Sequence, residues 1–128
     1  MTEPVFLLDT NICIYLLKDA TGPAASRLAD CAPGSVAAST VTLAELLRGP
    51  RAQEAAALDA IGAMFEAIGL LPFDEEAARA YARLPFRRGT FDRLIAAQAL
   101  ARELVLVTNN ERDFADVSGL QIENWARP

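Results

Sequence analysis

The segment Leu104-Val105-Leu106-Val107-Thr108 is short, continuously apolar and rich in β-branched residues. Such a run is a strand buried on both faces, which requires helices above and below the sheet it joins. Val5-Phe6-Leu7-Leu8 is a second run of this kind, ended by Asp9. Residues 35–38 read as a third strand after the turn at Pro33-Gly34, and residues 70–73 as a fourth, placed at an edge by Pro72. Residues 120–123 read as a last edge strand.

Helical patterns fill the intervals. Thr10 is read as the cap of a helix over residues 11–18, and a second helix covers 24–29. Thr42-x-x-Glu45 reads as a capping box that opens a helix to about residue 48, ended by Gly49-Pro50. An Ala-rich helix over 52–68 stops at Gly69, and its apolar face is open to two readings, core or interface. Asp74 caps a helix to about 84, and Thr90 caps another through 102. Residues 109–114 read as a loop or short helix. Alternating strands and helices imply a three-layer α/β/α sandwich around a mainly parallel sheet of four to five strands. At 128 residues, the chain is expected to be a single domain spanning 1–128.

Composition narrows the chemistry. There is no histidine, which removes Ser/His/Asp and Cys/His catalysis and histidine-bound zinc. The two cysteines, Cys13 and Cys31, read as small buried thiols in a reduced, cytoplasmic chain. No apolar run has the roughly 18 residues of a membrane helix, and no signal peptide is evident. The net charge of -5 argues against a nucleic-acid partner at first sight. Setting four carboxylates aside as metal ligands leaves the rest near neutrality, and all the basic residues except Lys18 are arginine, which grips phosphate bidentately.

The four carboxylates are Asp9, Glu45, Asp92 and Asp113. Asp9 ends the first strand, Glu45 follows the second, Asp92 opens the helix before the strongest strand, and Asp113 follows that strand. All four fall at the carboxyl edge of the sheet, where ligands bind in open α/β folds. Each has an innocent reading: a capping box for Glu45, a helix-dipole partner for Asp92, a solvated loop acid for Asp113. Asp9 is harder to dismiss, because an acid ending a buried strand needs a partner. Four converging carboxylates repel unless a cation sits among them, and all-oxygen donors select a hard ion, Mg²⁺ or Mn²⁺.

At these residues the sequence resembles the PIN-domain ribonucleases, and within them the VapC-type toxins of type II toxin–antitoxin pairs. The matching stretches are Leu7-Leu8-Asp9-Thr10-Asn11-Ile12, Ser39-Thr40-Val41-Thr42-Leu43-Ala44-Glu45-Leu46, Asp92-Arg93-Leu94-Ile95-Ala96-Ala97-Gln98-Ala99 and Val107-Thr108-Asn109-Asn110-Glu111-Arg112-Asp113-Phe114, followed by Gly119-Leu120 and Glu123-Asn124-Trp125. The chain departs from the pattern in a short stretch before Asp92 and in Gln98, where a histidine is frequent. The resemblance implies Mg²⁺- or Mn²⁺-dependent endonucleolytic cleavage of RNA. It implies Asp9, Asp92 and Asp113 as metal ligands, Glu45 as ligand or base, and Asn11 and Thr108 as groups orienting carboxylates or water. Arg48, Arg87, Arg88, Arg93 and Arg112 are candidates for the RNA backbone, and Phe86 for stacking on a base, although a lone aromatic is more often core. A cognate antitoxin and a homodimer are implied partners. The alternative is a non-catalytic PIN-like or receiver-like binding domain. A receiver lacks its lysine here, Lys18 being the only one, and an Asp-x-Asp phosphatase fails at Asn11.

Overall fold

The computed structural model describes residues 3–49, 54–87 and 90–127. Five parallel strands form one sheet in the order β3-β2-β1-β4-β5. They are β1 (Phe6–Leu8), β2 (Val36–Ser39), β3 (Gly69–Leu71), β4 (Val105–Val107) and β5 (Ile122–Glu123). The helices are α1 (Thr10–Lys18), α2 (Pro23–Ala29), α3 (Thr40–Leu47), α4 (Ala55–Ala67), α5 (Glu75–Arg83) and α6 (Asp92–Ala101), with a 3₁₀ turn at Glu111–Phe114. The expected α/β/α sandwich is the architecture found, and the strands expected at 70–73 and 120–123 are its two edges, observed at Gly69–Leu71 and Ile122–Glu123 with Pro72 just past the first.

Side-chain alternation along the central strands builds the layers. Leu8, Val36, Ala38 and Val107 face one way, into a core with Ile12 and Cys13 of α1, Ala24 of α2 and Ile61 and Met64 of α4. Leu7, Ala37 and Leu106 face the other way, against Ile95, Ala96 and Ala99 of α6 and Phe114. Each such fully buried Leu or Ile is worth roughly 1.5–3 kcal/mol of apolar burial. The α4 residues Ile61 and Met64, with Ile68 just beyond, therefore serve the core, while Leu58 stays exposed.

The order β3-β2-β1-β4-β5 means that the chain grows outward from β1 on one side and then returns to the other side with β4. The seam between β1 and β4 is a topological switch point, where connections leave in opposite directions and open a crevice at the carboxyl ends. Asp9 ends β1 at this seam and donates its N–H to the Val107 carbonyl at 2.9 Å. Thr108 ends β4 beside it. The fold thus places one carboxylate and one hydroxyl at the crevice by topology alone.

Candidate active site

Asp9 has an extended backbone (φ -77°, ψ 172°) because it finishes a strand, and in that conformation it caps α1. Its Oδ1 accepts from the Ile12 N–H at 3.0 Å. Thr108 also hydrogen-bonds the Asp9 side chain. Asp9 is only 2% exposed. Burial pushes its carboxyl up to about 6, against two hydrogen bonds that lower it, and the charges of Asp92 and Glu45 raise it further. The charged groups acting on Asp9 are thus other carboxylates, which stand close enough to repel it. Asp92 is likewise raised, first by burial and then by the charge of Asp113. The electrostatic contacts run Glu45–Asp9–Asp92–Asp113, joining all four acids.

The remaining acids reach this point from separate elements. Glu45 projects from the second turn of α3, and its Oε1 accepts from the Thr10 hydroxyl at 2.6 Å. Thr10 Oγ1 also lies 3.2 Å from the Thr42 hydroxyl. Thr10 has one proton, and the short charged contact takes it, so Thr42 donates to Thr10 in turn. Asp92 begins α6, with its N–H given to Thr90 Oγ1 at 3.0 Å. Asp113 lies on the 3₁₀ turn, exposed, its Oδ2 accepting from the Asn110 side-chain amide. Asp92 and Asp113 line a cavity of about 470 Å³ together with Phe86, Arg87 and Thr90. Glu45 and Arg48 border a second, more apolar cavity of about 640 Å³ with Val41, Ala44, Phe91 and Leu94.

Residues 6–120 match the family model for the PIN domain. The chain belongs to the PIN domain family. Within that family it is similar to the VapC type. It is 37% identical to the tRNA(fMet)-specific endonuclease VapC of Shigella flexneri over 94% of this chain and 98% of that protein. It is 33% identical to the protein of the same name from Salmonella typhimurium, over 94% and 97%. The crystal structure of DNA-bound VapBC from Salmonella typhimurium contains a chain that superposes with a TM-score of 0.83 at 30% identity, covering 98% of this chain and 99% of that one.

As a PIN domain, the chain has hard oxygen donors of the kind that suit Mg²⁺ or Mn²⁺, and a buried carboxylate whose charged neighbours repel it has the electrostatic deficit that a cation fills. Among the described residues, however, no three Cys, Asp or Glu side chains stand close enough together to hold one ion. Oxygens of Asp9, Glu45 and Asp113 are engaged instead by Ile12 and Thr108, by Thr10 and by Asn110. The fit is therefore one of charge and donor type, with the carboxylates neighbouring but not yet gathered.

Several expectations need correction. Thr10 is not the cap of α1. The strand end forces the extended conformation onto Asp9, which takes the cap and frees the Thr10 hydroxyl for Glu45. Glu45 is not half of a capping box, because Ser39 caps α3 through the Val41 N–H and the helix starts at Thr40. Arg93 is not an RNA contact: it is 2% exposed and its guanidinium is spent inside the protein. Phe86 is not core but 82% exposed. Arg48, Arg87 and Arg112 are exposed, with Arg87 Nε 3.6 Å from Asp116. Arg88 lies outside the described residues. Asn11 is exposed on α1, and Thr108 is fully buried, its Oγ1 also accepting from the Asn110 N–H at 3.1 Å. Thr10, Thr42 and Asp116 are the site residues that sequence reasoning missed. No local pattern marks them, since each is defined by a partner on a distant segment.

Proposed function

We propose that this chain is a metal-dependent endoribonuclease, the toxin of a toxin–antitoxin pair, hydrolysing phosphodiester bonds of RNA at the Asp9–Glu45–Asp92–Asp113 cluster. The observation that carries this reading is the set of four acids from four separate segments, electrostatically joined at the switch point, with the most buried member raised first by burial and then by its like-charged neighbours. The relatives named endonuclease and ribonuclease support the same reaction class, and structures titled VapBC support an antitoxin partner.

Asp9, Asp92 and Asp113 would hold Mg²⁺ or Mn²⁺, Asp113 after turning from Asn110. When bound, the ion would supply Lewis-acid activation of water and neutralise charge developing on the phosphate. Thr108 fixes the Asp9 carboxylate by its hydrogen bond, and Asn11, exposed two residues after Asp9, would orient water at the rim. Thr10 holds Oε1 of Glu45, leaving Oε2 to take the proton of the attacking water. Arg48, Arg87 and Arg112 meet backbone phosphates, and the exposed Phe86 and Phe91 offer stacking faces on either side of the cluster. A homodimer and a cytoplasmic location belong to the same reading. Among the described residues no helix is long and apolar enough to cross a membrane.

The test is cleavage of tRNA(fMet) and total RNA by the purified chain with Mg²⁺, with excess chelator, and by Asp9→Asn and Asp92→Asn. The reading requires activity lost in the last three conditions with the variants still folded. Activity that survives chelation, or a fully active variant, would overturn it. Absence of cleavage under every condition by the antitoxin-free chain, when that chain still binds an added antitoxin, would favour the non-catalytic binding domain.

A further inference from the structure

Arg93 follows Asp92 directly and is almost completely buried. Its guanidinium makes four hydrogen bonds to three residues, Pro85 on one segment and Asp113 and Asp116 on another. Nη1 donates to the Asp113 main-chain carbonyl at 3.2 Å and to Asp116 Oδ1 at 2.9 Å. Nη2 donates to Asp116 Oδ2 at 3.1 Å and to the Pro85 carbonyl at 2.8 Å. Asp116 thus receives the planar fork on both oxygens, a geometry lysine cannot reproduce. Nε is buried without a hydrogen-bond partner among the described residues.

We infer that Arg93 is a positioning residue: held by Asp116, it sets the spacing between Asp92, its neighbour in sequence, and Asp113, whose carbonyl it grips. This rests on the reading that Asp92 and Asp113 hold a divalent cation. Two features favour positioning over a generic strut. The contact is to the Asp113 main chain, so the backbone is fixed while the carboxylate remains free to turn toward an ion. Asp116 also neutralises a cation that would otherwise sit beside the proposed ligands and oppose metal binding. The same pair anchors Pro85 and, through Asp116, Arg87, so these two residues take their place from the clamp that spaces the acids.

The test is Mn²⁺ binding by calorimetry on the chelator-stripped full chain, with thermal unfolding recorded in parallel. The variants are Asp116→Asn and the double change Arg93→Met/Asp116→Ala. The double variant removes both charges, so it strands no buried ion if the single change fails to fold. Ile95→Val, a core change in the same helix, is the control for lost stability alone. The expected result is Mn²⁺ affinity lower by about tenfold or more in the clamp variants, as for other groups that orient metal ligands, and unchanged in Ile95→Val. Clamp variants that bind Mn²⁺ like the parent, whatever their stability, would overturn the inference alone. A parent chain that binds no Mn²⁺ would overturn the metal reading and this inference with it.

Discussion

Replacing Asp9 by Asn should stabilise the metal-free protein at neutral pH while removing its activity. The Asp9 carboxyl rises from an ordinary 3.8 to about 6 on folding, because the ionised form is buried beside other carboxylates. At about 1.4 kcal/mol for each tenfold change in proton affinity, this corresponds to roughly 3 kcal/mol. The folded pKa is the higher one, so the favourable contribution is complete below pH 3.8 and is lost as pH rises through about 6. Asn keeps an amide oxygen for the Ile12 N–H and carries no charge. Urea unfolding in chelator should therefore give nearly equal stabilities near pH 4. A variant advantage should open between pH 4 and 7, reaching about 2–3 kcal/mol, or a midpoint about 1 M or more higher. Added Mg²⁺ should close much of the gap by stabilising only the parent. An Asn variant no more stable than the parent at pH 7.5, or a difference that does not vary with pH, would refute the electrostatic reasoning.

Two further outcomes follow from the same geometry. Thr10→Val removes the 2.6 Å bond to Glu45 and should lower kcat for RNA cleavage by roughly 10–100-fold with little change in KM, while Thr10→Ser retains most activity; steady-state kinetics on a short RNA decides this. Arg48→Ala and Arg87→Ala should each weaken RNA binding across sequences and flatten its salt dependence by about one counterion, measured by titration in chelator at several salt concentrations. Retention of the parent's salt slope would remove that arginine from the interface.

The sheet was legible because its strands are short apolar runs closed by polar residues, and such runs have few alternative fates. Two of the four acids could be placed from the chain alone, because Asp9 stands at a strand end and Asp92 at a helix start and parallel topology sends both points to one edge, whereas Glu45 sits in the second turn of α3 and Asp113 inside the 3₁₀ turn after β4. Helix starts were less so. At Asp9-Thr10 and Ser39-Thr40-Val41-Thr42 several residues can cap, and the strand's extended backbone, a tertiary fact, decides which does. The fate of the arginines was not legible at all. Arg87, Arg93 and Arg112 look alike in sequence, yet Arg93 is buried because Asp116, Pro85 and Asp113 surround it, and nothing local announces that meeting. Phe86 and Phe91 escape the core for a comparable reason, since they lie on the connection between two helices and not on a face that the sheet covers.

The most direct measurement is anomalous diffraction from crystals of the full chain soaked in Mn²⁺. The account predicts one strong peak at the β1–β4 seam, within ligating distance of Asp9, Asp92 and Asp113, with Glu45 still held by Thr10. A map without a peak there at saturating Mn²⁺, or with the ion bound away from these carboxylates, would contradict it.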